Sequence, residues 1–158
     1  MRNNYYITTP IYYVNDKPHI GHAYTSIACD IMARFKRLDG YNVKFLTGTD
    51  EHGQKVEKAA LAQNKTPIEY ADTISKDFRT LTKTLNLSND DFIRTTEKRH
   101  KIASENLWKK LFNNNNIYLS KYSGWYALRD EAFYSEKEIT NGKAPTGAEV
   151  SWVEEESY

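Results

Sequence analysis

The chain holds a single cysteine, Cys29, so it forms neither an internal disulfide nor a zinc cluster of thiolates on its own. No apolar run approaches the roughly 18 residues a membrane helix requires, and the start, MRNNYYI, has no apolar signal-peptide core. Four prolines and seven glycines among 158 residues are too few for a disordered or collagen-like chain. Charge of one sign is also missing. The formal net charge of +1 removes any bulk electrostatic argument for nucleic acid or membrane, though not for a local RNA-binding patch. These absences predict an ordinary cytoplasmic protein of about one domain. What the chain has is aromatic surface: 12 tyrosines and 3 tryptophans enlarge the area available for a core.

The run Tyr5 to Ile11 is β-branched and aromatic and predicts a strand. A polar turn holding Asn15, Asp16 and Pro18 follows, and Ile20 to Leu38 then predicts a helix. Its apolar line is Ile20, Ala23, Ile27, Ile31, Phe35 and Leu38, with Gly40 just past its end. Asn42 to Thr47 predicts a second strand, and the intervening helix makes the two strands parallel. The carboxyl ends of both strands therefore open on one sheet edge. Gly48 to His52 (GTDEH) falls there, beside the loop that ends the first strand.

A second helix is expected over Gln54 to Gln63. Thr66, Pro67 and Glu69 carry the marks of a helix start: a cap, a proline at the first position and a glutamate three after the cap. Ala71, Ile74, Phe78, Leu81 and Leu85 line one face of that third helix. Phe92 to Thr95 is a short extended piece, and Thr96 is expected to cap a fourth helix with Ala103, Leu107 and Leu111 in line and Ile102 and Trp108 beside them. Asn113 to Asn116 ends it in a surface turn. Beyond lie aromatic β-like segments at 117–126 and 131–139, a hairpin turn at Asn141-Gly142, another turn over Ala144 to Gly147, and a strand over Val150 to Val153. One parallel pair with these helices is either a small α/β domain or the opening half of a larger fold. The abrupt end at Trp152 to Tyr158 favours a truncated chain.

Three groups of residues suit chemistry. His19 and His22 sit three apart at a helix start, where unpaired backbone N–H groups favour phosphate, and Gly21 removes a Cβ from the approach. Loop histidines with purely local hydrogen bonds account for the spacing equally well. Asp50, Glu51 and His52 place carboxylates on the same edge, suited to an ammonium group, although Asp50 or Glu51 could simply cap the second helix. Zinc held by His19, His22, His52 and Asp50 is disfavoured, because no cysteine joins them and a helix N-terminus repels a cation. Ile11 and Tyr13 share one strand face and Tyr12 takes the other, so either face could line an apolar pocket or belong to the core.

The stretch from Thr8 to Ala60, with His19-Ile20-Gly21-His22 intact and GTDEHG (Gly48 to Gly53) after it, resembles the class I aminoacyl-tRNA synthetases. Within them it is similar to the N-terminus of the bacterial methionyl-tRNA synthetases, and DDFIRTTEKRH (Asp90 to His100) and WVEEESY (Trp152 to Tyr158) extend the likeness over the whole chain. The resemblance implies the first half of a Rossmann-like parallel-sheet catalytic domain over 1–115, with helices 67–85 and 96–113 leading into an inserted connective-peptide domain over 116–158. It implies ATP-dependent ligation of methionine to tRNA(Met) through methionyl-adenylate. His19 and His22 would stabilise the phosphoryl charge as catalytic groups, and His19, Gly21 and His22 would hold ATP, which enters with magnesium. Ile11, Tyr13, Asp50 and His52 would surround methionine.

Two departures from the family's pattern matter. The zinc knuckle that many relatives carry is replaced here by Ala127-Leu128-Arg129-Asp130 and by Ala144-Pro145-Thr146, so no structural zinc is expected. Aromatic packing by Trp125, Tyr126 and Phe133, with the neighbourhood of Arg129 and Asp130, would hold the knuckle instead. The lysine-rich KMSKS loop of the second catalytic half is also missing, as is an anticodon-binding domain, so the isolated chain is expected to be inactive. The alternative is a non-catalytic nucleotide- or RNA-binding fragment of a synthetase. No membrane partner is expected, and a monomer is favoured. A dehydrogenase is disfavoured, since no G-x-G-x-x-G follows the first strand.

Overall fold

The computed structural model describes residues 3–158. Its elements run β1 (Asn4–Thr8), β2 (Tyr12–Tyr13), α1 (Ile20–Leu38), β3 (Asn42–Asp50), α2 (Gln54–Ala62), α3 (Pro67–Thr84), β4 (Asp91–Arg94), α4 (Lys98–Asn113), β5 (Ser120–Ala127), β6 (Ala132–Tyr134) and β7 (Ser151–Ser157), with one 3-10 turn at Glu136–Glu138. The chain divides into two compact units, one ending at Glu105 and the other comprising Asn106–Tyr158.

In the first unit β3 is the central strand, and every pairing it makes is parallel. Leu46 is shared between Thr8 of β1 and Asp91 of β4, and Thr49 between Tyr12 of β2 and Arg94 of β4. β1 and β2 therefore occupy one edge of β3 and β4 the other. The expected strand over Tyr5 to Ile11 is thus two pieces. Thr8 pairs with Leu46 and Tyr12 with Thr49, so one extra residue bulges out around Pro10, which has no N–H for the ladder. Thr9 holds the break: its N–H reaches the Leu46 carbonyl at 3.1 Å and its hydroxyl meets that of Thr47 at 2.7 Å. The extended piece expected at Phe92–Thr95 is β4, a third parallel strand, one residue earlier at each end.

The core of this unit is Tyr12, Val14, Val56, Ala60, Tyr70, Ala71, Ile74, Phe78 and Phe92. Ala71, Ile74 and Phe78 of the expected α3 stripe are in it, while Leu81 and Leu85 are only half-buried. Thr66 and Glu69 form the expected capping box at the start of α3, with Pro67 in the first turn. Neither Asp50 nor Glu51 caps α2, whose cap is Gly53 at φ 118° with no side-chain cap bond. A Cβ at Gly53 would run into the Tyr13 hydroxyl, so both dihedral and space demand glycine there.

The large residues of two apolar helix lines lie outside the core. On α1, Ile20, Ile27, Ile31, Phe35 and Leu38 are exposed, and the buried residues are Ala23, Ser26, Asp30 and Ala33. Small side chains let the helix lie close on the sheet, which turns the bulky line outward. On α4 no residue is buried, and Ile102, Leu107, Trp108 and Leu111 are exposed. Spacing reports which residues share a face but not what covers it. Thr96 does not cap α4 either. Its hydroxyl is committed to Glu51, and the helix starts at Lys98.

In the second unit β5 pairs antiparallel with β6 and with β7, and β7 extends four residues past the expected Val153. Asn141 (φ 53°) and Gly142 (φ 72°) make the expected tight hairpin turn, closed by the Thr140–Lys143 bridge. Ala127, Ala144 and Ala148 form its small buried cluster. A polar clamp centred on Asp130 ties the flanking turns together. Asp130 accepts from Arg129 Nε (3.0 Å), Tyr134 Oη (3.0 Å) and the Thr146 hydroxyl, while Arg129 Nη2 donates to the Thr146 carbonyl at 2.7 Å. Tyr126 and Phe133 also pack, with ring centroids 4.8 Å apart, and Trp125 meets Trp152 edge to face at 5.4 Å.

Asp30 joins α1 to the segment before β4. It accepts from the Ser88 N–H and hydroxyl, both at 2.6 Å, and from Arg34 Nε at 2.6 Å. Burial alone would raise its pKa, but the Ser88 and Arg34 donors hold it below the ordinary carboxylate value. A carboxyl depressed in the fold lends stability above its unfolded pKa of about 3.9, and that stability is lost as pH falls through the lower folded value. Asp30→Asn is expected to cost about 1–3 kcal/mol in urea unfolding at pH 7 and much less at pH 3. An equal loss at both pH values would contradict this account.

Candidate active site

Parallel pairing on both edges of β3 sends the carboxyl ends of β2, β3 and β4 to one edge of the sheet. The loop after β2 ends at His19, the cap of α1, whose first turn carries His22; Asp50 ends β3 and Glu51 to Gly53 follow it, and the loop after β4 carries Thr95 and Thr96. Tyr13 pairs directly with Asp50, and the Val14 N–H donates to the Asp50 carbonyl at 3.2 Å.

The two histidines cap α1 reciprocally. The Gly21 N–H donates to His19 Nδ1 at 3.1 Å, and the His19 N–H donates to His22 Nδ1 at 3.1 Å. The local hydrogen bonds expected of these histidines are therefore present. An Nδ1 that accepts leaves the neutral ring its proton on Nε2, so each imidazole keeps a ring N–H donor at a helix start whose Gly21 and His22 backbone N–H groups are already taken by His19. The rings stack at 3.8 Å. Partial burial, and then the nearness of His19, lower the His22 pKa, which favours the neutral donor form. Gly21 serves the same arrangement, since a Cβ there would lie 3.0 Å from the His19 ring.

Tyr12 ties this helix start to the core. Its hydroxyl meets Ser26 Oγ at 2.7 Å, and its ring stacks on Phe78 at 5.3 Å and meets the His22 ring at 4.8 Å. Tyr12 is buried, Tyr13 is half-buried against the core, and Ile11 is exposed in the bulged segment, where strand alternation no longer applies. Asp50 is half-exposed, and among the described residues no hydrogen bond or ion pair engages its carboxylate. His52 is exposed, with Nε2 3.4 Å from the Thr95 carbonyl oxygen.

Between them Glu51 is buried and its carboxylate is fully engaged. It accepts from Thr49 Oγ1 (2.7 Å), Arg94 Nε (2.7 Å), Arg94 Nη2 (2.9 Å) and Thr96 Oγ1 (2.5 Å). Arg94 also reaches Asp72 Oδ1 on α3 at 2.5 Å, and the Glu51 N–H donates to Thr95 Oγ1 at 2.9 Å. Burial would raise the Glu51 pKa, but Arg94, Thr96 and Thr49 outweigh it and keep the group ionised. Arg94, Thr95 and Thr96 were invisible as site residues in the sequence, because 43 or more residues separate them from Glu51. Only the polar run TTE after a short strand hinted at them.

Among the described residues no group of three or more His, Cys, Asp or Glu is placed to hold a metal ion. An open concavity of about 470 Å³ lies elsewhere, in the second unit, lined by Trp108, Tyr118, Lys121, Tyr122 and Tyr158 among others. It offers no histidine or acidic side chain for acid–base work.

A parallel sheet that delivers a histidine pair at a helix start and an acidic loop to one edge has the layout of the nucleotide-binding half of a class I aminoacyl-tRNA synthetase. The family model for tRNA synthetases class I (M) matches residues 5–152, and the chain belongs to that family. It is 64% identical over 159 residues to the methionine–tRNA ligase of Rickettsia felis, covering all of this chain and 31% of that protein. It is 52% identical over 168 residues to that of Bacillus subtilis, covering 99% of this chain and 25% of that protein. The chain thus spans under a third of these relatives' length. Among solved structures, Mycobacterium tuberculosis methionyl-tRNA synthetase in complex with methionyl-adenylate matches with a TM-score of 0.90 at 48% identity, over 99% of this chain and 32% of that one. The free-state structure of that enzyme matches with a TM-score of 0.65 at 45% identity, over 99% of this chain and 30% of that one.

Nitrogen-detected NMR of the histidine rings tests the donor arrangement. In their neutral form both His19 and His22 are expected as Nε2–H tautomers, and the His22 titration midpoint is expected below the ordinary value of about 6.5. An Nδ1–H tautomer for either ring would overturn it.

Proposed function

We propose that this chain supplies the nucleotide wall and much of the methionine wall of a methionine-activating site in a full-length methionine–tRNA ligase. The observation that carries the reading is the reciprocal histidine cap, which leaves two Nε2–H donors at a helix start on the sheet edge where Asp50 ends β3. In the first step the methionine carboxylate attacks the α-phosphorus of ATP, and pyrophosphate leaves. His19 and His22 donate to the phosphoryl oxygens as negative charge builds on them, and Gly21 keeps the approach open for the adenosine. Asp50 holds the methionine ammonium, helped by the backbone carbonyl of Ile11. Tyr13 forms the wall near the thioether, with His52 on the same rim. The methionyl group then passes to the terminal adenosine of tRNA(Met).

Magnesium enters as a partner of ATP's phosphates, and no residue of this chain is assigned to it. The second unit is read as the start of the connective-peptide insertion, taking 116–158 as insertion and 1–115 as catalytic half, and as free of structural zinc. The donor set argues against zinc, since Ala127 and Ala144 are buried at the replaced positions and Asp130 already spends its oxygens on Arg129, Tyr134 and Thr146. The exposed apolar line of α1 has the character of a surface covered by other parts of a full-length enzyme. A cytoplasmic location and a monomer fit the same reading.

The full-length enzyme is expected to catalyse methionine-dependent ATP–pyrophosphate exchange, and the isolated 158-residue chain is not. Comparable exchange by the isolated chain would sink the claim that this half is insufficient. No methionine dependence in the full-length protein would sink the assignment itself and favour a non-catalytic nucleotide- or RNA-binding fragment. Gly21→Ala, which pushes the His19 ring aside, is expected to lower kcat by about 10²–10³, the cost of one misplaced transition-state donor. A chelator is expected to leave the thermal unfolding of the full-length protein unchanged. A drop in Tm reversed by added zinc would reject the metal-free reading.

A further inference from the structure

We propose that Glu51 is a positioning residue of the methionine half of the site, acting through a clamp with Arg94 that sets where Asp50 and His52 lie. The inference rests on the methionine-activating reading above. Glu51 itself touches no substrate, because its carboxylate is buried and its two oxygens take four donors from Thr49, Arg94 and Thr96.

Those donors come from separate parts of the first unit. Thr49 lies on β3 and its hydroxyl also meets Ser75 of α3 at 3.2 Å. Arg94 ends β4 and continues to Asp72 of α3. Thr96 lies in the loop beyond β4. The backbone is pinned as well, with the Glu51 N–H on Thr95 Oγ1 and the Thr95 N–H on the Thr49 carbonyl at 3.2 Å. The residues on either side of Glu51 in the chain are Asp50 and His52, and His52 in turn meets the Thr95 carbonyl. Two strands and one loop therefore converge on the single residue between the two proposed methionine contacts, and α3 joins them through Thr49 and Arg94.

The nucleotide half shares α3 and β3 with this clamp, but among the described residues no hydrogen bond links Glu51 or Arg94 to either histidine. His19 and His22 are held by their own reciprocal cap and by Tyr12 and Phe78. Loosening the clamp should thus move the ammonium site and leave the phosphate donors in place. A residue that served only global stability would affect both substrates together.

The test is steady-state ATP–pyrophosphate exchange by the full-length enzyme with each substrate varied. Glu51→Gln and Arg94→Met are each expected to raise the methionine KM about tenfold, as befits a buried group losing its partner, with the ATP KM within about twofold. The double variant is expected to be no worse than the poorer single one, because both changes release one clamp. Thr96→Val removes one donor and should raise the methionine KM about threefold, which keeps the test alive if the buried-charge variants fail to fold. A methionine KM unmoved in every folded variant, or an ATP KM that rises in step with it, overturns the proposal while wild-type exchange stands. A wild-type enzyme without methionine-dependent exchange overturns the functional reading and this proposal with it.

Discussion

Parallel pairing along both edges of β3 is the constraint on which the rest of the first unit depends. A parallel strand can return only through a crossover, so α1 must lie between β1 and β3, and α2 and α3 between β3 and β4. Each crossover starts from a strand's carboxyl end, and all those ends share one edge. Residues 19, 50 and 94 become neighbours of that edge for topological reasons, before any side chain makes a specific contact. The bulge at Pro10 then adjusts the outcome. It lets β2 resume pairing with Tyr12 turned into the core, where its hydroxyl and ring fix the first turn of α1.

Electrostatics sort the polar groups delivered to the edge into two kinds. His19 and His22 satisfy the helix start with Nδ1 and so keep the proton of each neutral ring on Nε2, the donor the proposed phosphate contact needs. The buried Glu51–Arg94 pair is worth little as a source of net stability, because desolvation offsets the attraction between its charges. Its effect is geometric. A bidentate pair with extra hydroxyl donors admits one arrangement, and the backbone between Asp50 and Gly53 inherits that arrangement.

Much of this was legible in the sequence. Periodicity and caps located α1 and α3 almost to the residue, and the parallel β1–β3 pair follows from a strand, helix and strand in series. The spacing His19-x-x-His22 and the acidic loop were visible as candidates, and their family pattern assigned them roles. What stayed hidden depends on contacts across long separations. Ile27, Ile31 and Phe35 have helical spacing whether they face a core or the outside, and only the packing of Ala23, Ser26 and Ala33 on the sheet decides between the two. Thr96 has the chemistry of a cap, yet it serves a carboxylate 45 residues away. Arg129 and Asp130 were legible as neighbours in the second unit, but the Thr146 and Tyr134 donors that close on Asp130 were not.

Asp50 and Glu51 condense the argument, since they are adjacent carboxylates with opposite fates. Strand alternation sends them to opposite sides of the end of β3. One side is the interior, where an unpaired carboxylate would be intolerable, and Glu51 is accordingly surrounded by donors from β3, β4 and the loop beyond. The other side opens beside Tyr13, where the carboxylate of Asp50 keeps its accepting capacity. An ammonium ligand needs such an acceptor held firmly but left unspent, because a carboxylate already paired would have to break a bond to bind. On the proposed reading, spending Glu51 on the scaffold is what leaves Asp50 available.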